Sequence, residues 1–236
     1  MYQENTEDSH RFAVAQADGD TQANFIRKTY MHLAGAILAF IGLEILIFST
    51  PLAERIATLV FESGSVGWLG FLGVFMLSCW MARSMAASGS KATQYAGLGF
   101  YVVAEALIFV PLIYLAVNFS SPSVLPNAAI MTLAMFAGLT ATVFITRRDF
   151  SFLKTTLTVG GFVAIGAIIC GALFGVNLGM WFSVAMVVFA CGAILYDTSN
   201  VLHHYEKDQY VGASLELFAS IALLFWYILR IFISRD

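Results

Sequence analysis

Four acidic residues, Glu44, Glu105, Asp197 and Glu216, stand inside long apolar runs of the chain. An ionisable side chain at the centre of a membrane span costs roughly 2.5–3.5 kcal/mol on insertion scales, so such a residue faces a partner or a cavity and is a functional candidate by default. A carboxyl group taken out of water must be neutralised by a proton, a cation or hydrogen-bond donors. A cluster of such groups is sensitive to pH and, once ionised, suits a hard cation such as Ca²⁺, which takes oxygen ligands. One base is placed to compensate them: Arg83, which closes the second apolar run. Asp197 lies near the inner end of the sixth run, Glu216 about one and a half turns into the seventh, and Arg83 at a similar depth. Asp197, Glu216, Arg83, Glu105 and Glu44 are therefore candidates for an ion path and for pH sensing, with Asp197 and Glu216 as candidate Ca²⁺ ligands. Glu105 falls mid-helix, and Glu44, in the outer half of the first run, cannot join the inner cluster but could meet Glu105 along a common path. The plainer alternative is that protonated or Arg-paired acids only join helices.

Other chemistries find little support. Cys79, Cys170 and Cys191 lie inside apolar runs without paired spacing and read as small packing residues. Adjacent His203 and His204 point apart on a helix, and are expected as solvated loop residues rather than a metal pair. No serine stands in a GxSxG elbow, and Tyr196-Asp197 lacks the GxGD-like partner of an intramembrane aspartyl protease. Neither catalytic residues nor a cofactor is expected, and the chain is not read as an enzyme. A net charge of −3 without a basic patch argues against nucleic-acid binding.

The elements that must position these side chains are membrane helices. Hydrophobic residues make up 59% of the 236 and charged residues 11%, against roughly 45–50% and 25% in a soluble domain. Seven apolar runs, each near the ~20 residues of a span, cover about 30–48, 66–82, 95–117, 128–145, 155–174, 178–195 (continuing towards His203) and 211–233. Residues 51–62 form a shorter amphipathic piece for the interface. Residues 1–24 are expected as a flexible, acidic cytoplasmic tail that lacks the pattern of a secretory signal, and 25–236 as one all-α, seven-helix transmembrane domain. Lys and Arg set the orientation. Arg11, Arg27, Lys28, Arg83, Lys91, Arg147, Arg148, Lys154 and Lys207 share the side of the tail, against Arg55, Arg230 and Arg235 on the other. The N-terminus is expected in the cytoplasm and the C-terminus outside. Gly64, Gly67, Gly70 and Gly73, and the GxxxG of Gly171 and Gly175, suggest close helix packing. Pro111 is expected to kink the third span.

The segment CGAILYDTSNVLHHYE (191–206), with the apolar helix after it and the terminal Ser234-Arg235-Asp236, resembles the Bax inhibitor family of seven-span proteins. TRRDFSFLK (146–154) is similar to the bacterial YccA-like branch of that family. The resemblance covers the membrane portion from about residue 25. It implies a bundle with a central seventh helix, in a bacterial inner membrane, and a pH-sensitive Ca²⁺ leak gated by aspartates on the sixth and seventh helices with an arginine on the second. Asp197 and Arg83 match two of these positions. Counting back from Arg230, Ser220 holds the place of the seventh-helix aspartate, so the dyad is not intact; Glu216, one turn earlier on the same face, could substitute for it. The YccA-like branch also implies a non-conducting modulator of a membrane-anchored ATP-dependent protease as the alternative, and an ion-coupled transporter is a third reading. The lead expectation has Arg83 pair with ionised Asp197 to hold the seventh helix closed.

Overall fold

A computed structural model describes residues 14–16, 18–176 and 178–236. Eight α-helices follow one another: α1 (Gly19–Phe48), α2 (Leu52–Glu62), α3 (Gly64–Ala86), α4 (Lys91–Phe119), α5 (Val124–Thr146), α6 (Leu153–Phe174), α7 (Gly179–His203) and α8 (Tyr210–Arg235). There is no strand among the described residues. All helices except α2 are long and apolar enough to cross a membrane, seven in all. This follows from the solvent: hydrocarbon offers backbone groups no partner, so each span satisfies its own as a helix.

α2 has 11 residues and buries Ala53, Ala57 and Val60, one stripe at helical spacing, while Leu52, Leu59 and Phe61 stay exposed. A short amphipathic helix is expected over 51–62, and α2 is that helix. α1 begins earlier than the apolar run it contains. Asp18 caps it, its carboxylate accepting from the Thr21 amide at 3.2 Å. Buried Val14 donates its amide to the Tyr205 carbonyl at 2.9 Å. Of the tail expected over 1–24, residues 1–13 and 17 lie outside those described, and from Gly19 the chain is already helical.

Two helices form the axis of the bundle. α8 packs against α1, α3, α4, α5 and α7, as expected for a central seventh span. α4 packs against α1, α2, α3, α5 and α8. Buried residues make up 67% of the most apolar stretch of α4 and 56% of that of α8, but only 6% in α6, so α6 is peripheral. It rests on α3 and α7 and approaches α8 through Ala164, Met186 and Tyr227. An aromatic cluster fills the middle of the axis: Phe109 stacks on Phe225 at 5.5 Å between centroids and meets Trp226 and Phe40 edge-on. α4 runs through Pro111 as one helix; lacking an N–H, Pro111 leaves the Leu107 carbonyl without its usual donor.

The connections α3–α4, α5–α6 and α7–α8 lie at one end of the bundle, here called the basic side. At the opposite side the Asp236 carboxylate accepts from the Ser121 amide and hydroxyl, both at 2.6 Å, tying the end of α8 to the α4–α5 connection. Trp181 is exposed there, as a boundary tryptophan should be, whereas Trp68 turns inward to stack on Trp226 at 6.2 Å.

The glycines expected to bring helices together do other work. A Cβ at Gly70 or Gly73 would meet nothing within 4 Å, and one at Gly67 would meet only Ser63 of its own turn. Gly64 and Gly175 have φ of +64° and +68° and mark helix boundaries. Gly171 lies against Val176 and Leu178 of the turn that follows its helix. The close approach belongs to Gly97, where a Cβ would stand 2.7 Å from the Ala82 carbonyl and 2.9 Å from the Ala86 amide. Small residues at 82, 86 and 97 thus let the basic-side ends of α3 and α4 meet backbone to backbone. Gly97→Ala forces them apart. The expected loss is about 1–3 kcal/mol, the range for overpacking, read as a lower midpoint of thermal unfolding in detergent, with Gly70→Ala unchanged as the control.

Candidate functional site: an acid-lined cavity between α3, α4, α6, α7 and α8

Because α6 stands off from the axis, it leaves an open-sided cavity of about 1350 Å³ between itself and α3, α4, α7 and α8. Its wall includes Lys154 at the start of α6 and Arg83 at the end of α3, on the basic side. It also includes Gly64 and Ser234, at the opposite ends of α3 and α8, and Val176, in the connection after α6. The cavity therefore extends along most of the bundle. Arg83, Glu105, Asp197, Glu216, Ser220 and Arg230 all line it.

Arg83 donates its Nε–H to Glu216, with Oε1 at 2.9 Å and Oε2 at 3.0 Å. The guanidinium also lies over the Tyr101 ring, Cζ 5.8 Å from the centroid. Asp197, buried on α7, accepts from the Ser220 hydroxyl on α8 at 2.5 Å. Glu105 is buried on α4, one turn beyond Tyr101. Four of the five charged candidates, with Ser220, thus share one cavity. The pairing differs from the one expected. Arg83 bonds Glu216 rather than Asp197, because Glu216 lies a turn nearer the basic side, whereas Asp197 faces Ser220 directly across the α7–α8 contact. The two carboxylates proposed as Ca²⁺ ligands hold different partners, and no group of three or more His, Cys, Asp or Glu side chains among the described residues could hold a metal ion. Glu44 stands apart. It lines a second cavity between α1, α4, α5 and α8, and does not meet Glu105. Phe109 and Ala222 line both cavities and separate them.

The basic-side end of α7 carries a clamp that the sequence reading passed over. Asp149, in the α5–α6 connection, accepts from the Ser151 amide at 2.8 Å and from the Ser199 hydroxyl at 3.3 Å. His204 Nε2 lies 3.2 Å from its other oxygen. Ser199 in turn accepts from the Phe150 amide at 2.9 Å. His204 is thus paired rather than simply solvated, while His203 belongs to the last turn of α7. The clamp fixes the helix two residues beyond Asp197. The signal available in the sequence was the charge of Arg147-Arg148-Asp149, too short a run to name a partner.

Seven spans around an α4–α8 axis, with acids and two arginines lining a cavity between the helices, define a polytopic helical membrane protein with a polar site among its spans. The family model described as "Inhibitor of apoptosis-promoting Bax1" matches residues 22–236, and the chain belongs to this Bax inhibitor family. It is 33% identical over 229 residues to the uncharacterized protein PA2604 of Pseudomonas aeruginosa, covering 96% of each chain. It is 29% identical over 226 residues to Protein LIFEGUARD 4 of Arabidopsis thaliana, covering 90% of this chain and 85% of that one. Bax inhibitor 1 of Schizosaccharomyces pombe is 35% identical over 124 residues, 49% of this chain and 44% of its own. No solved structure matches the chain.

The clamp makes a pH prediction. The Ser151 amide, foremost, and the His204 side chain hold the Asp149 carboxyl at about 2, below its ordinary 3.8. A depressed carboxylate stabilises the folded form above its unfolded value, and that contribution fades as pH falls through the folded one. Protection of the Phe150 and Ser151 amides from hydrogen exchange, corrected for the intrinsic rate, should hold at neutral pH and fade as pH falls below 3.8 towards about 2. Asp149→Asn should show the same loss at neutral pH.

Proposed function

We propose that the protein is a pH-sensitive leak for cations, Ca²⁺ in particular, in a bacterial inner membrane. The observation that carries this reading is the long cavity whose wall holds Asp197, Glu216, Glu105 and Arg83. Hydrocarbon would not tolerate those side chains, and a cation path needs them. The excess of Lys and Arg on one side supports a cytoplasmic basic side and N-terminus, with the C-terminus across the membrane.

Arg83 and Glu216 neutralise each other while they are paired. Asp197, held by a neutral hydroxyl, then decides the charge of the wall beside them. With its proton on, Asp197 offers a cation nothing. Ionised, it adds a negative charge that Arg83 cannot balance without leaving Glu216. An entering cation takes oxygens from Asp197 and, as Arg83 moves off, from Glu216, and passes on by Glu105. This replaces a closed state built on an Arg83–Asp197 pair with one built on Arg83–Glu216.

The test is Ca²⁺ entry into liposomes holding the purified protein. Flux should rise with pH, Asp197→Asn should hold it near the acid level, and Ser220→Asp, which supplies the aspartate the family resemblance implies at that place, should steepen the dependence. No flux at any pH would overturn the reading. The YccA-like resemblance of residues 146–154 supports the alternative, modulation of a membrane-anchored ATP-dependent protease. On that reading, removing residues 1–13 changes turnover of the protease's membrane substrates several-fold while leaving liposome flux as it was.

A further inference from the structure

The cavity that holds Glu44 has a chemistry of its own. Its volume is about 530 Å³, inside the roughly 300–1,000 Å³ of small-molecule sites. Glu44 is the one charged residue lining it, and Thr132 the one hydroxyl. Thr132 donates to the Ala128 carbonyl of its own helix at 2.8 Å. Glu44 is 8% exposed, and neither of its carboxyl oxygens has a hydrogen-bond partner. α1 and α5 form the two sides, and α4 and α8 form the floor; the backbones of α1 and α5 stay apart, and the Tyr30 and Phe144 rings, outside the cavity lining, bridge them at 5.9 Å between centroids. Ile41, Ile45 and Leu133 line the cavity and are exposed, so its mouth opens sideways between α1 and α5 onto the hydrocarbon.

We propose that this cavity binds a lipophilic amine, a hydrocarbon chain carrying one ammonium group, which enters from the membrane and pairs with Glu44. Each part of the wall argues for that class. An unpartnered carboxyl in an apolar site is costly, and a donor that is also a cation satisfies it most fully. A Ca²⁺ ion needs six to eight oxygens, and Glu44 with a hydroxyl already in use cannot supply them. A phospholipid headgroup would bring a phosphate, and no Lys, Arg or His lines the cavity to receive it. A neutral hydrocarbon would fill the walls but leave the carboxyl unpaired. An ammonium donates to both oxygens of Glu44 while its chain lies along Phe40, Ile113 and Phe225.

The experiment uses the full chain in phosphatidylcholine nanodiscs, with dodecylamine as probe and dodecanol as its neutral match. Dicyclohexylcarbodiimide adds to a protonated carboxyl in an apolar site, and mass spectrometry locates the adduct. Without the amine, Glu44 should give the N-acylurea adduct; with dodecylamine bound, the amine attacks the activated carboxyl and releases dicyclohexylurea, so the Glu44 dodecylamide should appear and the N-acylurea fall about tenfold, equivalent to about 1.4 kcal/mol, whereas dodecanol should barely affect it. Dodecylamine should also raise the thermal midpoint of the wild type but not of Glu44→Gln, since a ligand stabilises only the form that binds it. If Glu44→Gln does not fold, Ala129→Phe, which fills the cavity from α5 without touching the carboxyl, should abolish the rise. Equal protection by dodecanol would assign the cavity to hydrocarbon chains and overturn the proposal. So would a wild-type midpoint that dodecylamine leaves unmoved.

Discussion

Hydrocarbon supplies no hydrogen bonds, and the charged residues of α8 and its neighbours are arranged around that constraint. Arg83 and Glu216 tie α3 to α8, and Asp197 and Ser220 tie α7 to α8. Each link joins a polar side chain that no lipid could satisfy to a partner on the central helix. Apolar packing alone would discriminate weakly between helix registers, because lipid tails are as apolar as leucine. The polar links fix which turns of α3 and α7 face which turns of α8. The gap that α6 leaves beside them is what turns a structural solution into a cavity.

The same constraint explains the division of labour among the helices. α4 and α8 are buried on most sides, and they carry Glu105, Glu216 and Ser220. α6 presents almost only apolar residues and contributes a wall. The α3–α4 approach at Gly97 matters to the site because it sets the basic-side end of α3, and with it Arg83, against α8. Asp149, Ser199 and His204 do the same for α7 from outside the hydrocarbon, where water is present and an ordinary acid–histidine pair can form.

Much of this was legible in the sequence. The seven spans, the short amphipathic helix and the acids out of place follow from hydropathy and from the cost of burying charge, which act residue by residue. What failed depended on rotation about helix axes. Gly70 and Gly73 have the spacing of a packing face, but nothing packs on them, while Gly97 has no such pattern and makes the close approach. Glu44 and Glu105 are both buried acids on spans, and only the three-dimensional arrangement shows that they line separate cavities. Arg83 was placed at the right depth, but depth alone could not choose between Asp197 and Glu216. The tail was judged by its acidity, which conceals the Asp18 cap that starts α1.

The ring of Phe109 stands between the two cavities and belongs to the wall of each. It is braced by Phe40 on one flank and by Phe225 and Trp226 on the others. The lipid-facing chamber and the acid-lined one thus share a wall made of Phe109 and Ala222. A substitution at Phe109 therefore alters the lining of both chambers at once, at mid-membrane, with no change of charge in either.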